Sequence, residues 1–151
     1  MFRLTKKLVF AIEAVLDIAY NTFDTPVQSA EITERQGIPR RYLEQVLQQL
    51  VRAGILSGVR GPRGGYKLAR ERRRISIGDI VRVVRSVEGV GDPMEADAGS
   101  RLGREIVRPM WQGMMDDCMA KLDEITIDDL CRQAQQRSIA REGVAGADWT
   151  I

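Results

Sequence analysis

Residues 39–69 read PRRYLEQVLQQLVRAGILSGVRGPRGGYKLA. The first half predicts a helix over 39–53, because its apolar residues recur every three or four positions and form one stripe. That stripe comprises Leu43, Val46, Leu47, Leu50 and Val51. Pro39 suits the first turn of a helix, where no backbone N–H is needed, and Gly54 suits its end. The opposite face of this helix is polar.

The second half of the stretch predicts a hairpin over 55–69, because two short β-capable runs flank a loop rich in glycine. The loop reads Arg60-Gly61-Pro62-Arg63-Gly64-Gly65. Its glycines allow the backbone to approach phosphates closely, and its arginines suit a narrow minor groove. A nucleotide-binding loop is excluded, since Tyr66 stands where the Walker pattern needs glycine and no GxGxxG fits.

Upstream, apolar spacing predicts helices over 4–19 and 30–36. Ser29 is the expected N-cap of the second helix, and Gly37 its C-cap. The helices at 30–36 and 39–53 then form a helix-turn-helix, with 39–53 as the recognition helix. The basic hairpin that follows completes a winged helix.

Downstream, Ser76 and Asp79 predict a capped helix over 77–88. Residues 89–103 are rich in glycine, proline and acids and predict a linker. An apolar, Met-rich pattern resumes near 104, and Pro109 places the start of the regular helix at 106–108. Thr126 restarts a short helix over 127–136. A domain of this size cannot cover the long Met-rich face, so we expect it to pack on a second copy.

The predicted fold is mainly α, with a winged helix-turn-helix domain, a two-stranded β wing and a long C-terminal dimerisation helix. The predicted divisions are a DNA-binding domain at 1–88, a loop at 89–105, dimerisation helices at 106–136 and a flexible tail at 137–151. The expected dimer contacts are Ile106, Met110, Trp111, Met114, Cys118 and Leu122.

The net charge of +2 conceals an asymmetry. Residues 1–91 hold 16 basic and 9 acidic side chains, whereas 92–151 hold 7 and 12. Eight of the basic residues lie within 52–74, including the run Arg72–Arg74. A basic N-terminal part favours a polyanionic partner such as nucleic acid, although a solvated surface with uneven charge is the alternative.

The chain has no histidine and two cysteines, Cys118 and Cys131. This composition excludes Ser-His-Asp and Cys-His nucleophiles, HExxH zinc sites and a four-cysteine site within one chain. We therefore expect no enzyme. The apolar N-terminal run is interrupted by Glu13 and Asp17 and does not fit a signal peptide, and no stretch is long enough to span a membrane. The expected location is the cytoplasm.

Three motifs resemble one family, the bacterial winged-helix regulators that include IscR, NsrR and CymR. They are YLEQ at 42–45, LVRAGIL at 50–56 and VRGPRGGYKLA at 59–69. The opening RLTKK at 3–7, and Trp111 followed by ITIDDL at 125–130, fit the family too. The resemblance implies a homodimeric transcription factor, commonly a repressor, that binds a palindromic double-stranded operator.

The resemblance also implies DNA-contacting positions, with Arg41, Glu44 and Gln45 facing base edges. The full expected set is Lys6, Lys7, Arg40, Arg41, Tyr42, Glu44, Gln45, Gln48, Arg60, Gly61, Arg63 and Gly64. Glutamate can accept from cytosine N4, and arginine can bind guanine. The alternative for Glu44 is an ion pair with Arg40 or Arg41 in the first turn of the helix.

Many members of this family bind an iron–sulfur cluster through three cysteines in the loop before the long helix. Residues 89–105 contain no cysteine, so we expect no cluster and no other cofactor. Cys118 falls on the apolar stripe and is expected to be buried. Cys131 lies in a polar stretch and is the better candidate for a reactive thiol.

Two alternatives stay open beside the operator-binding regulator, and its signal is open as well. The protein could be a winged-helix protein-interaction module without an operator, or a thiol-based redox sensor that uses Cys131. Its signal could be a small molecule near Trp111, a partner protein, or none.

Overall fold

The computed structural model describes residues 5–22, 25–88 and 99–142, and within them it is mainly helical. The elements are α1 (Lys6–Asn21), α2 (Ser29–Gln36), α3 (Arg40–Arg52), β1 (Leu56–Val59), β2 (Gly65–Leu68), a 3₁₀ turn (Arg72–Arg74), α4 (Ile77–Glu88), a π-helical turn (Gly103–Val107), α5 (Arg108–Glu124) and α6 (Ile127–Gln136). None of these helices is both long and apolar enough to cross a lipid bilayer.

Local capping sets where the first two helices begin. The Thr5 side chain accepts a hydrogen bond from the Leu8 N–H (3.2 Å), so α1 begins later than the predicted residue 4. The Gln28 N–H donates to the Glu31 carboxylate (2.7 Å), which makes Gln28 the N-cap of α2. The prediction of Ser29 as that cap was therefore wrong by one residue.

A buried carboxylate joins α1 to α2. Asp17 is 3% exposed, and the Arg35 guanidinium donates to both of its oxygens, at 3.0 and 2.7 Å. The Gln36 amide adds a third hydrogen bond at 2.7 Å. Because a buried carboxylate is stable only when it is paired and hydrogen-bonded, these contacts determine how α2 lies against α1.

The recognition helix α3 packs by the predicted stripe. Leu43, Leu47 and Leu50 are fully buried, whereas Val46 and Val51 lie at the edge of the same core. The helix runs from Arg40 to Arg52, one residue shorter at each end than the prediction of 39–53.

The predicted hairpin is an antiparallel pair in which Leu56 faces Leu68 and Val59 faces Gly65. The sequence did not predict how this hairpin is connected to the rest of the winged-helix part of the chain. We call this part, within residues 5–22 and 25–88, the head. Val27, just before α2, exchanges two backbone hydrogen bonds with Tyr66, at 2.8 and 2.7 Å. The wing is therefore held against the helix-turn-helix by backbone contacts.

Two helices start side by side from one β-bridge between Ser76 and Thr126. Ser76 caps α4 through reciprocal 3.0 Å hydrogen bonds with Asp79, as predicted. Thr126 does the same for α6 with Asp129, at 2.9 and 3.1 Å. Hydrogen bonds from Thr126 favour the charged carboxylate, so the pKa of Asp129 is lowered.

The C-terminal helices are not separate from the head. The end of α5 is tied to α4 by an Arg82–Asp123 ion pair of 2.5 Å. Ile127 and Cys131 of α6 are fully buried in the same core as α1. The sequence indicated Cys131 as the better candidate for a reactive thiol, but its side chain is buried and does not share the polar surroundings of its neighbours along the chain.

Two predicted boundaries also need correction. The loop was expected to extend to residue 105, but residues 101–102 are helical and Gly103–Val107 form a π-helical turn. Pro109 explains the wide turn, because its ring removes an N–H and crowds the carbonyl one turn back. Residues 89–98 of this loop lie outside the described residues.

The tail was expected to be flexible from residue 137. Its first part instead contacts the end of α1: the Tyr20 hydroxyl donates to the Ile139 carbonyl, and the Glu142 N–H donates to Asn21 Oδ1 (3.0 Å). The Arg141 guanidinium lies 5.1 Å from the centre of the Tyr20 ring. Residues 143–151 lie outside the described residues.

Candidate nucleic-acid interface

The outward face of α3 is a polar ridge. Arg41, Gln45 and Gln48 are exposed at spacings of four and three residues, so they lie on one side of the helix. Tyr42 flanks the ridge and is 45% exposed. Such a ridge of donors and acceptors can reach base edges in a major groove.

The one acid on this ridge has a partner within the chain. Arg40 Nε lies 3.0 Å from Glu44 Oε1, and both side chains remain accessible to solvent. The contact predicted as the alternative role of Glu44 is therefore present. An exposed pair of this type contributes little to stability, so Glu44 can exchange Arg40 for another partner.

The cations of the wing loop have no charged partner in the part of the chain that the structure describes. Arg60 and Arg63 are exposed and make no ion pair within residues 5–22, 25–88 and 99–142. Free guanidinium groups are able to bind phosphates without first breaking a contact in the protein.

The paired glycines of the wing are required by the fold. A Cβ on Gly64 would overlap the Val59 carbonyl oxygen, and one on Gly65 would lie 2.5 Å from the Val27 carbonyl oxygen. Gly64 was predicted for its ability to approach DNA. The structure adds a reason within the chain, since the hairpin can close and pair with Val27 only without these side chains.

An open groove of about 660 Å³ separates the wing from α3. It brings together four predicted residues, Arg40, Arg60, Gly61 and Gly64, which are up to 24 positions apart in the sequence. Gln28 and Ser29, at the start of α2, line the same groove and were not predicted as site residues. The signal available in the sequence was the helix start itself, because helix N-termini often contact phosphates.

The two lysines at the start of α1 lie near α3. Lys6 is exposed, and Lys7 is partly buried beside a small cavity that Tyr42 and Gln45 also line. The structure therefore places Lys7 next to the ridge of α3, as expected if both contact one ligand.

The run Arg72–Arg74 divides into different environments. Arg72 Nε is 2.7 Å from Asp128 Oδ1, and Arg73 Nε is 2.6 Å from Glu71 Oε2. Arg74 makes no ion pair in the described ranges. Part of the positive charge between 52 and 74 is thus used to attach the 3₁₀ turn to α6.

Large apolar side chains of the π-helical turn and of the N-terminal half of α5 are left exposed by the residues that the structure describes. Ile106 is 63% exposed, Met110 56% and Met114 59%. Trp111 and Cys118 are half-buried, whereas Leu122 packs against the core. Large apolar side chains exposed in one stripe are typical of an interface.

Known proteins resemble this chain over most of its length. The Rrf2 family, described as "Iron-dependent Transcriptional regulator", matches residues 4–133. The HTH-type transcriptional regulator IscR of Photobacterium profundum is 35% identical over 139 residues, which are 91% of this chain and 80% of that protein.

Two solved structures support the same relationship. T. potens IscR superposes with a TM-score of 0.72 at 30% identity, covering 95% of this chain and 96% of that one. CymR, described as the global cysteine regulator of B. subtilis, gives a TM-score of 0.71 at 28% identity and covers 88% and 98%.

The family description mentions iron, but the residues of this chain do not fit an iron–sulfur cluster. Such clusters are held mainly by cysteine thiolates, and the chain has two cysteines and no histidine. Cys131 is fully buried beside the positive Arg72, which disfavours a metal ion there. No three metal-ligating side chains cluster among the residues that the structure describes.

The wing loop, the ridge of α3 and the family match over residues 4–133 point to one class of protein. Relatives at 35% identity are named as transcriptional regulators. The chain belongs to the Rrf2 family, and it is a DNA-binding transcriptional regulator rather than an enzyme.

Proposed function

We propose that the protein is a homodimeric repressor that reads a palindromic operator. The observation that carries this proposal is the groove between α3 and the wing, which brings Arg40 and Arg60 to its two sides. In the proposed complex α3, within the predicted helix 39–53, enters the major groove. The wing, within 55–69, enters the adjacent minor groove.

Within α3, the proposal divides the side chains by role. Arg41, Glu44 and Gln45 read bases, and they are supported by Gln48 on the same ridge and by Tyr42 at its flank. Phosphate contacts come from Arg40, Lys6 and Lys7, and the wing contributes Arg60, Arg63 and the backbone at Gly61 and Gly64. Phosphate contacts set affinity and its salt dependence, whereas base contacts set specificity.

The exposed stripe on α5 supports the dimer. A second copy packed on Ile106, Met110 and Met114 would remove these side chains from water and relate two recognition helices by a two-fold axis. A two-fold dimer reads two half-sites, which is why we propose a palindromic operator. A regulator of this kind acts where the chromosome lies, so we place it in the cytoplasm.

A small molecule or a protein partner is proposed as the signal, in preference to oxidation of Cys131. The thiol of Cys131 is buried, and burial raises its pKa, which lowers the fraction of reactive thiolate. No metal or cluster is part of the proposal.

Fluorescence anisotropy with labelled duplexes from the DNA upstream of its own gene tests the proposal. We expect specific binding that weakens steeply with salt, and a similar loss on specific and unrelated duplexes for Arg63→Ala. Arg137→Ala, an exposed arginine at the end of α6, is the matched control and should bind like the wild type.

A transcription reporter under the bound promoter then distinguishes repression from activation. Loss of the protein should raise expression if it is a repressor. Absence of sequence-selective binding at moderate salt would contradict the proposal and favour a winged helix that docks on another protein.

A further inference from the structure

A second open groove, of about 490 Å³, lies on the head away from the wing loop. We call it the basal groove. Its walls come from the end of β2 with the turn that follows, the last residues of α1 and the start of α6. Its volume is within the range of pockets that hold small ligands.

The basal groove has a positive lining. Lys67, Arg70, Arg72 and Arg73 line it together with two carboxylates, so the net charge of its lining is +2. Lys67 is exposed and makes no ion pair in the part of the chain that the structure describes.

The carboxylates do not neutralise all of these cations. Arg72 is held by Asp128 at 2.7 Å and keeps 38% of its side chain exposed. Arg73 pairs with Glu71 at 2.6 Å, but both side chains are more than half exposed. An exposed pair is weak, so an incoming anion can replace Glu71 at Arg73 at low cost.

Ion pairs within the fold use only part of this charge, since Arg72 binds Asp128 whereas Lys67 has no charged partner in the described ranges. The 3₁₀ turn Arg72–Arg74 directly precedes α4, whose N-terminus carries the positive end of the helix dipole. Cations there are unfavourable for α4, although Asp128 pairs with Arg72, Glu71 with Arg73 and Asp79 with Arg70. An anionic ligand would offset the positive charge that remains.

The position of the groove favours a small ligand over duplex DNA. Leu68 lies in the groove lining and pairs with Leu56 at the base of the hairpin, whereas the wing loop lies at the other end. Leu68 lies three positions along β2 from Gly65, a separation of about 10 Å. The basal groove instead faces α1 and α6, which lie outside the helix-turn-helix.

We infer that the basal groove binds a small phosphorylated ligand through Lys67, Arg72 and Arg73. Guanidinium groups match the geometry of phosphate oxygens and can bind them through two parallel hydrogen bonds. A ligand held there would contact the wing strand and the 3₁₀ turn that Arg72 attaches to α6. The inference does not depend on the proposed operator binding, since it concerns a different surface.

Titration of the full chain with pyrophosphate by calorimetry, against sodium chloride at equal ionic strength, tests the inference. We expect saturable binding and a higher unfolding temperature with pyrophosphate than with chloride. The double variant Lys67→Ala/Arg73→Ala should bind pyrophosphate at least about tenfold more weakly than the wild type, because two charge-assisted contacts are lost. Both residues are exposed, and the Arg72–Asp128 pair is left intact.

Arg74→Ala is the matched control, because Arg74 belongs to the same turn but does not line the groove. It should bind pyrophosphate like the wild type. Equal losses in the double variant and the control would overturn the inference, as would the absence of saturable binding. Weaker DNA binding by the double variant without pyrophosphate binding would identify the groove as a DNA contact instead.

Discussion

Gly78 of α4 lies directly against Asp123 of α5. A Cβ on Gly78 would overlap the Asp123 carboxylate and would lie 3.2 Å from its backbone nitrogen. The same carboxylate binds Arg82 Nη2 at 2.5 Å. The end of α5 therefore lies close against the first turn of α4.

Gly78→Ala should destabilise the protein by about 1–3 kcal/mol, the range for overpacking a tight contact. Part of that cost comes from the displaced Asp123 side chain. The same change in an Asp123→Ala background should therefore cost less than in the wild type. Urea unfolding of the four proteins measures the difference, and equal costs in both backgrounds would contradict the assigned contact.

Asp17→Ala should lower the free energy of unfolding by about 3–5 kcal/mol, because the largely buried Arg35 would keep only its 4.0 Å contact with Glu31 among the described residues. The structure shows both oxygens of Asp17 occupied by Arg35. Glu34→Ala, at an exposed position of α2, is the control and should change little. If both variants unfold at the same denaturant concentration, the hydrogen bonds of Arg35 and Gln36 to Asp17 do not stabilise the protein.

Glu44→Ala should relax discrimination at one base pair by about 1–3 kcal/mol. It should also strengthen binding to unrelated DNA, because it removes a negative charge and frees Arg40 from its 3.0 Å ion pair. Anisotropy on duplexes substituted one base pair at a time measures this, with Glu34→Ala as control. A loss of affinity that is uniform across all duplexes would show that Glu44 does not read a base.

Met110→Lys combined with Met114→Lys should convert the protein to a monomer, since two charges would be buried in the proposed interface. The affinity for the operator should fall when the dimer is lost. Light scattering after gel filtration reports the mass. Gln112→Lys lies on the same helix at an exposed position and should leave the mass unchanged. A wild-type monomer at micromolar concentration would contradict the proposed dimer.

Cys131 should resist thiol reagents in the native state and react after denaturation. Burial raises its thiol pKa, so the folded state holds this proton more tightly than the unfolded state. Its contribution to stability is therefore present below the ordinary thiol pKa of about 8.5 and is lost as pH rises above it.

The difference in stability between wild type and Cys131→Ala should accordingly shrink at alkaline pH. Urea unfolding between neutral and alkaline pH checks the sign. Timed labelling of Cys118→Ala, which leaves Cys131 as the sole thiol, measures the reactivity. Rapid native labelling of that variant would contradict the buried position of Cys131.

The sequence predicted the elements that depend on local interactions. The starts of α4 and α6 are set by capping residues three positions apart, Ser76 with Asp79 and Thr126 with Asp129. The apolar spacing of α3 and the glycine loop of the hairpin are equally local, so these elements were predicted to within a residue or two.

Contacts between distant residues could not be predicted in this way. The sequence placed Cys131 in a polar stretch because its neighbours along the chain are polar, but α6 turns its Cys131 side into the core. Gln28 and Ser29 reach the groove by the wing because Val27 pairs with Tyr66, 39 positions away.

By itself, the sequence determined a winged helix with a basic wing and an uncovered apolar helix, because helix periodicity, caps and turns are encoded by neighbouring residues. Only the tertiary structure decided which charges are free and which thiol is buried. Arg72 pairs with Asp128 of α6, whereas Arg60 and Arg63 make no ion pair among the described residues, and such differences depend on how distant segments pack.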